Sequence, residues 1–172
     1  MSPSTPSARV KICGLTTEDT VRASVEAGAD YLGFNFFPRS PRFATPARAA
    51  ELARLVPPHV LKVSLTVDDD NATIDAIVAA LKPDILQLHG AETPARLVEL
   101  KARYGLTLMK VIPISGPEDL EKIALYHDSA DLLLFDAKPP KSMKNALPGG
   151  NGLAFDWSLL AGQKPDTPWM LS

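Results

Sequence analysis

Short apolar runs recur along the chain at 10–13, 31–36, 61–67, 85–88, 106–112, 132–135 and 169–171, each nearly unbroken by polar side chains. Parallel strands buried on both faces read this way, as continuous Val/Ile/Leu-rich segments rather than alternating ones. The stretches between them carry a helical period. Ile74, Ile77, Val78 and Leu81 fall at i, i+3, i+4 and i+7, one stripe of an amphipathic helix. Leu52, Leu55 and Val56 repeat the pattern more briefly, as do Leu120, Ile123 and Ala124. Helix starts are marked by Thr45-Pro46 and Thr93-Pro94, each an N-cap hydroxyl before a proline that loses nothing at the first helical position. Thr16 with Asp19 is a near capping box, 68–70 is an acidic helix start, and Gly28 and Gly105 are stop signals.

Seven strands and six helices follow, with strand starts about 20 to 30 residues apart and nearly 40 before the last. This rhythm builds right-handed βαβ units around one parallel sheet. A doubly wound sheet and a closed barrel both fit. The former usually shows a glycine-rich turn after its first strand; here that turn is only Cys13-Gly14, which favours the barrel. The expectation is an α/β (β/α)8 TIM barrel as a single domain over 10–172, behind a disordered tail at 1–9. A barrel needs at least about 200 residues. The last strand–helix units are therefore expected to be absent from the 172 residues given.

Composition narrows the function. Lys plus Arg is 18 against 20 Asp plus Glu, which argues against a nucleic-acid partner. One cysteine excludes an internal disulfide framework and a cysteine zinc site within one chain. No apolar run approaches the roughly 18 residues of a membrane span, and the first nine residues lack the apolar core of a secretory signal, so a cytoplasmic protein is expected. His59, His89 and His127 are far apart and suggest no metal site. There is neither a Gly-x-x-x-x-Gly-Lys phosphate loop nor a Gly-x-Ser-x-Gly elbow.

Barrel active sites lie at the carboxyl ends of the strands. Those positions hold Cys13, then Asn35 with the loop 38–42, then Gln87 and His89, then Asp136. Four strands thus end in groups capable of acid–base or anion-binding chemistry. Lys11 is a candidate cation beside Cys13, its direction left open. The loop 148–152 has the composition of a phosphate cradle or of a mobile connection.

The motifs are more specific than the class. Val10-Lys11-Ile12-Cys13-Gly14-Leu15-Thr16, Ala27-Gly28-Ala29-Asp30, Gly33-Phe34 and Ser40-Pro41-Arg42 come first. Leu86-Gln87-Leu88-His89-Gly90, Leu133-Leu134-Phe135-Asp136-Ala137-Lys138, Gly149-Gly150-Asn151-Gly152 and Phe155-Asp156-Trp157 follow. In this order and spacing the chain resembles the phosphoribosylanthranilate isomerases of tryptophan biosynthesis. The resemblance implies a cofactor-free, metal-free Amadori rearrangement of N-(5-phospho-β-D-ribosyl)anthranilate to 1-(2-carboxyphenylamino)-1-deoxyribulose 5-phosphate.

By motif, Cys13 matches the family's general base and Asp136 its general acid. Arg42 matches the arginine that pairs with the anthranilate carboxylate. Gln87 and His89 match residues lining the substrate site, and Gly149, Gly150 and Gly152 are read as substrate-binding. The implied partner is the small phosphorylated sugar–anthranilate, bound by a monomer or homodimer. The alternatives left by the residues alone are another phosphosugar isomerase or epimerase, or a non-catalytic barrel fragment that binds a partner. The family pattern differs at three places. It has an apolar residue near Asn35, a Gly-Leu-Phe-Val segment near Ser64-Leu65-Thr66-Val67, and a Gly-Gly-Leu turn with an eighth strand after the match to Met170-Leu171-Ser172.

Overall fold

A computed structural model describes residues 8–140, 142–144, 146–163 and 165–172. Among these residues the apolar runs form seven parallel strands hydrogen-bonded in chain order. These are β1 (Lys11–Cys13), β2 (Tyr31–Asn35), β3 (Leu61–Thr66), β4 (Ile85–Leu88), β5 (Thr107–Ile114), β6 (Leu132–Ala137) and β7 (Trp169–Leu171). Among the described residues five α-helices connect them: α1 (Glu18–Glu26), α2 (Pro46–Ala53), α3 (Asn71–Leu81), α4 (Pro94–Tyr104) and α5 (Glu121–Tyr126). Both edge strands, through Lys11 on β1 and Met170 on β7, border one wide cleft. The sheet is therefore a curled half-barrel with helices outside.

Strand alternation sorts the core into two layers. Tyr31, Val63, Ile85, Met109, Val111 and Leu134 fill the inside of the curl. Residues one position away, such as Leu32, Leu86, Leu108 and Leu133, turn outward and pack under the helices. Cutting a buried leucine of this layer to alanine typically costs about 2–5 kcal/mol. Register follows from the same alternation, because a slip of one residue would exchange the inner and outer sets.

The caps agree with the sequence at Thr45 and Thr93, whose hydroxyls accept from Arg48 N and Arg96 N, each at 3.2 Å. Asp70 is the acidic cap of α3, accepting from Thr73 N at 2.9 Å. At α1 the cap is Thr17 rather than Thr16, with Thr20 N donating to its hydroxyl. α2 stops at Ala53, so Leu55 and Val56 pack from the following turn.

The sixth helix is absent among the described residues. Between β6 and β7 only the 3₁₀ turn Trp157–Leu160 forms. Pro139, Pro140, Pro148, Gly149, Gly150 and Gly152 deny that connection a helical run. Phe155, Leu159 and Leu160 still cover the outer core. Of the tail, residues 1–7 lie outside the described part; Arg9 is anchored, donating to the Tyr31 hydroxyl at 2.8 Å. No helix among the described residues is long and apolar enough to cross a membrane.

Candidate active site

The inner positions at the carboxyl ends of the strands open into one cavity. Cys13 of β1, Gln87 of β4, Asp136 of β6 and His89 just beyond β4 line it, together with Arg42 and Gly149 from loops. Gly150 also borders it, whereas Gly152 borders an adjoining cleft shared with Arg42 and Asp136. Seven of the eight residues expected from the sequence thus meet in one place. Lys11 joins them, since it lies two residues before Cys13 and shares its face.

Each group has a local reason for its place. Cys13 pairs in register with Gly33. A β-carbon at Gly33 would sit 2.8 Å from the Cys13 sulfur, so only glycine leaves the thiol its room. Arg42 sits on a loop braced by Asn35, whose side chain is buried. Asn35 Nδ2 donates to Ser40 Oγ at 3.1 Å, its Oδ1 accepts from Phe37 N at 2.8 Å, and Ser40 Oγ accepts from Arg42 N at 3.1 Å. An amide thus shapes the loop that carries Arg42. The sequence placed Asn35 on the rim but gave it no role. Its signal was polarity at the end of an otherwise apolar strand.

The imidazole of His89 is buried between two partners. Its Nδ1 lies 3.5 Å from Gln87 Nε2. Its Nε2 lies 3.4 Å from Asp136 Oδ2 but makes no hydrogen bond, and Gln87 Oε1 is likewise buried without a partner. Buried polar atoms are nearly always paired in finished structures. Two such atoms belong to residues that line the cavity and remain open to a polar partner. Asp136 Oδ1 accepts from Ala137 N at 2.8 Å, which fixes the carboxyl's rotation and leaves Oδ2 toward His89.

The glycine loop closes over these groups. A β-carbon at Gly149 would collide with both the His89 ring and Asp136 Oδ2, and one at Gly150 with the Arg42 guanidinium. Gly150 also has φ of +73°, a conformation that side chains disfavour. The Arg42 guanidinium takes part in none of the ion pairs among the described residues. It is thus available for an anion.

A thiol, a carboxyl, an imidazole and an uncommitted guanidinium at the carboxyl ends of a curled parallel sheet define a class: α/β enzymes that hold a small polar ligand at that rim. Residues 10–172 match the family model described as N-(5'phosphoribosyl)anthranilate (PRA) isomerase, and the chain belongs to this family. The N-(5'-phosphoribosyl)anthranilate isomerase of Parvibaculum lavamentivorans is 69% identical over 166 residues, covering 96% of this chain and 77% of the relative. The crystal structure of phosphoribosyl anthranilate isomerase from Thermotoga maritima superposes with a TM-score of 0.83 at 31% identity, over 96% of this chain and 77% of that one. A phosphoribosyl anthranilate isomerase in complex with reduced 1-(o-carboxyphenylamino)-1-deoxyribulose 5-phosphate gives 0.79 at 28% identity, over 96% and 75%. The family expected from the motifs is the family found.

Proposed function

We propose that this protein is the isomerase of tryptophan biosynthesis that converts N-(5-phospho-β-D-ribosyl)anthranilate to 1-(2-carboxyphenylamino)-1-deoxyribulose 5-phosphate, acting in the cytoplasm as a monomer or homodimer. The observation that carries this reading is the meeting of Cys13, Asp136 and Arg42 at one cavity.

Asp136 acts as general acid. It donates a proton to the ribose ring oxygen as the C1′–O bond breaks, and the anilino nitrogen lone pair forms the C=N bond. Cys13 acts as general base, removing the proton from C2′. The electron pair moves into a C1′=C2′ bond, the iminium nitrogen becomes neutral, and the resulting enolamine tautomerises to the ketone. No oxidant or cofactor enters, because the aldose carbon is reduced as its neighbour is oxidised. Arg42 holds the anthranilate carboxylate through two parallel charge-assisted hydrogen bonds. Gln87 and His89, whose buried atoms lack partners, hold the sugar hydroxyls. The glycine loop lends backbone amides from Gly149, Gly150 and Gly152.

The same reading extends the sheet to a full (β/α)8 barrel. The cleft between β1 and β7 is where its eighth strand belongs, beside a phosphate site of the kind barrels build after strands seven and eight.

Replacing Cys13 with Ser, or Asp136 with Asn, tests the two roles. A proton-transfer group is worth about 10²- to 10⁴-fold, so kcat should fall by that factor with the circular-dichroism spectrum unchanged. Near-normal kcat in either variant removes that residue from the chemistry.

A further inference from the structure

A buried charged pair bonds to the turn that carries His89, on the side away from the cavity. Lys110 lies on β5 one residue from the inward-facing Met109 and Val111, so it points away from the cavity into the helix layer, where it is almost fully buried. Its ammonium donates to Glu92 Oε2 and to the Gly90 carbonyl, both at 2.7 Å, and to the Leu88 carbonyl at 3.4 Å. Leu88 and Gly90 are the two neighbours of His89. Glu92 grips the same turn, accepting from Gly90 N at 3.0 and 3.1 Å and from Asp68 N at 3.0 Å. Tyr126 of α5 donates to the Glu92 carbonyl at 2.9 Å, and its ring lies 5.5 Å from the Lys110 ammonium.

A buried ion pair is poor value as plain stabilisation, since well-packed apolar residues often serve as well or better. Here the pair bonds to both peptide units flanking one histidine, and Glu92 ties them to the turn after β3 through Asp68 N. We infer that Lys110 and Glu92 are positioning residues whose pair fixes the His89 backbone, holding the imidazole against Asp136 and Gly149. For catalysis this rests on the reaction proposed above; for geometry it stands independently.

Removing Lys110 alone strands a buried carboxylate, which destabilises any protein. The informative variant is therefore the double replacement Lys110→Met with Glu92→Gln, which removes both charges at similar volume. Compared with Lys110→Met alone, it should regain most of the lost melting temperature. It should not regain the clamp. In the ligand-free protein, the nuclear Overhauser contact between His89 Hε1 and the Gly149 α-protons should be strong in the wild type and lost in the double variant. On substrate, kcat of the double variant should stay about 10- to 100-fold low, the scale on which small misplacements act, with KM changed less.

A double variant that keeps the His89–Gly149 contact overturns the inference, as does one whose kcat recovers along with its melting temperature. If the wild type itself turns over no substrate, the proposed reaction fails, and the Overhauser contact alone still decides the clamp.

Discussion

In the proposed function, ligand choice turns on Arg42. Its guanidinium lies against the α-carbon of Gly150 and takes no ion-pair partner among the described residues. An ammonium cannot reproduce its planar fork. Arg42→Lys should therefore raise the dissociation constant for an anthranilate-bearing ligand by about tenfold or more, since a charge-assisted hydrogen bond contributes about 1.5–3 kcal/mol. Ribose 5-phosphate should weaken much less; calorimetric titration of both ligands checks this, and equal loss would move Arg42 away from the carboxylate. Gly150→Ala attacks the same contact from the other side. A methyl there meets the guanidinium and also strains a backbone at φ +73°. KM should rise by roughly 10- to 100-fold while the fold persists, on the scale expected for a displaced binding group.

Among the elements, the turn after β5 holds a buried carboxylate ringed by donors. Asp119 in the 3₁₀ turn Pro117–Leu120 is buried, which by itself would raise its carboxyl. Hydrogen bonds from Lys122, Lys138 and Ser115 outweigh that and hold it well below the usual carboxylate range. Lys138 directly follows β6, so this carboxylate ties the β5 turn to the strand that carries Asp136. A depressed folded-state value means that the stabilisation is complete above the ordinary carboxylate range and fades as pH falls below about 4. Asp119→Asn should cost about 1–3 kcal/mol at pH 7. Urea midpoints of wild type and variant should converge between pH 4 and the acid limit; a gap independent of pH would show that charge is not the cause. At α4, Thr93→Ala should cost about 1 kcal/mol through the lost cap on Arg96 N, read from the same urea curves.

At the scale of the whole molecule, the sequence was most legible where one physical signal dominates. All seven strands were visible as apolar runs. For β2 to β6 the reason is burial on both faces, which leaves little room for polar side chains, whereas the edge strands β1 and β7 are apolar but partly exposed. β5 and β6 each run two residues past their predicted ends, to Ile114 and Ala137. Pro113 and Asp136 end the apolar runs in the sequence, yet they pair with each other in the ladder. The cavity residues were legible because polar groups ending apolar strands are rare and the motifs are specific. Lys110 and Glu92 were not, because their roles are relations to backbone atoms far away in sequence; Asn35 was visible at the rim, but its brace to Phe37 and Ser40 within the following loop was not. The helix expected before β7 failed for a plainer reason: spacing suggested one, but the prolines and glycines of that connection do not permit it.

The central claim is that this cavity isomerises the phosphoribosyl anthranilate. The direct measurement adds purified protein to freshly generated N-(5-phospho-β-D-ribosyl)anthranilate and follows anthranilate fluorescence while the products are separated by chromatography. Fluorescence should fall at a rate proportional to protein concentration as 1-(2-carboxyphenylamino)-1-deoxyribulose 5-phosphate accumulates, and the Asp136→Asn protein should lose that rate. Decay no faster than in the protein-free control, yielding only free anthranilate, would contradict the claim.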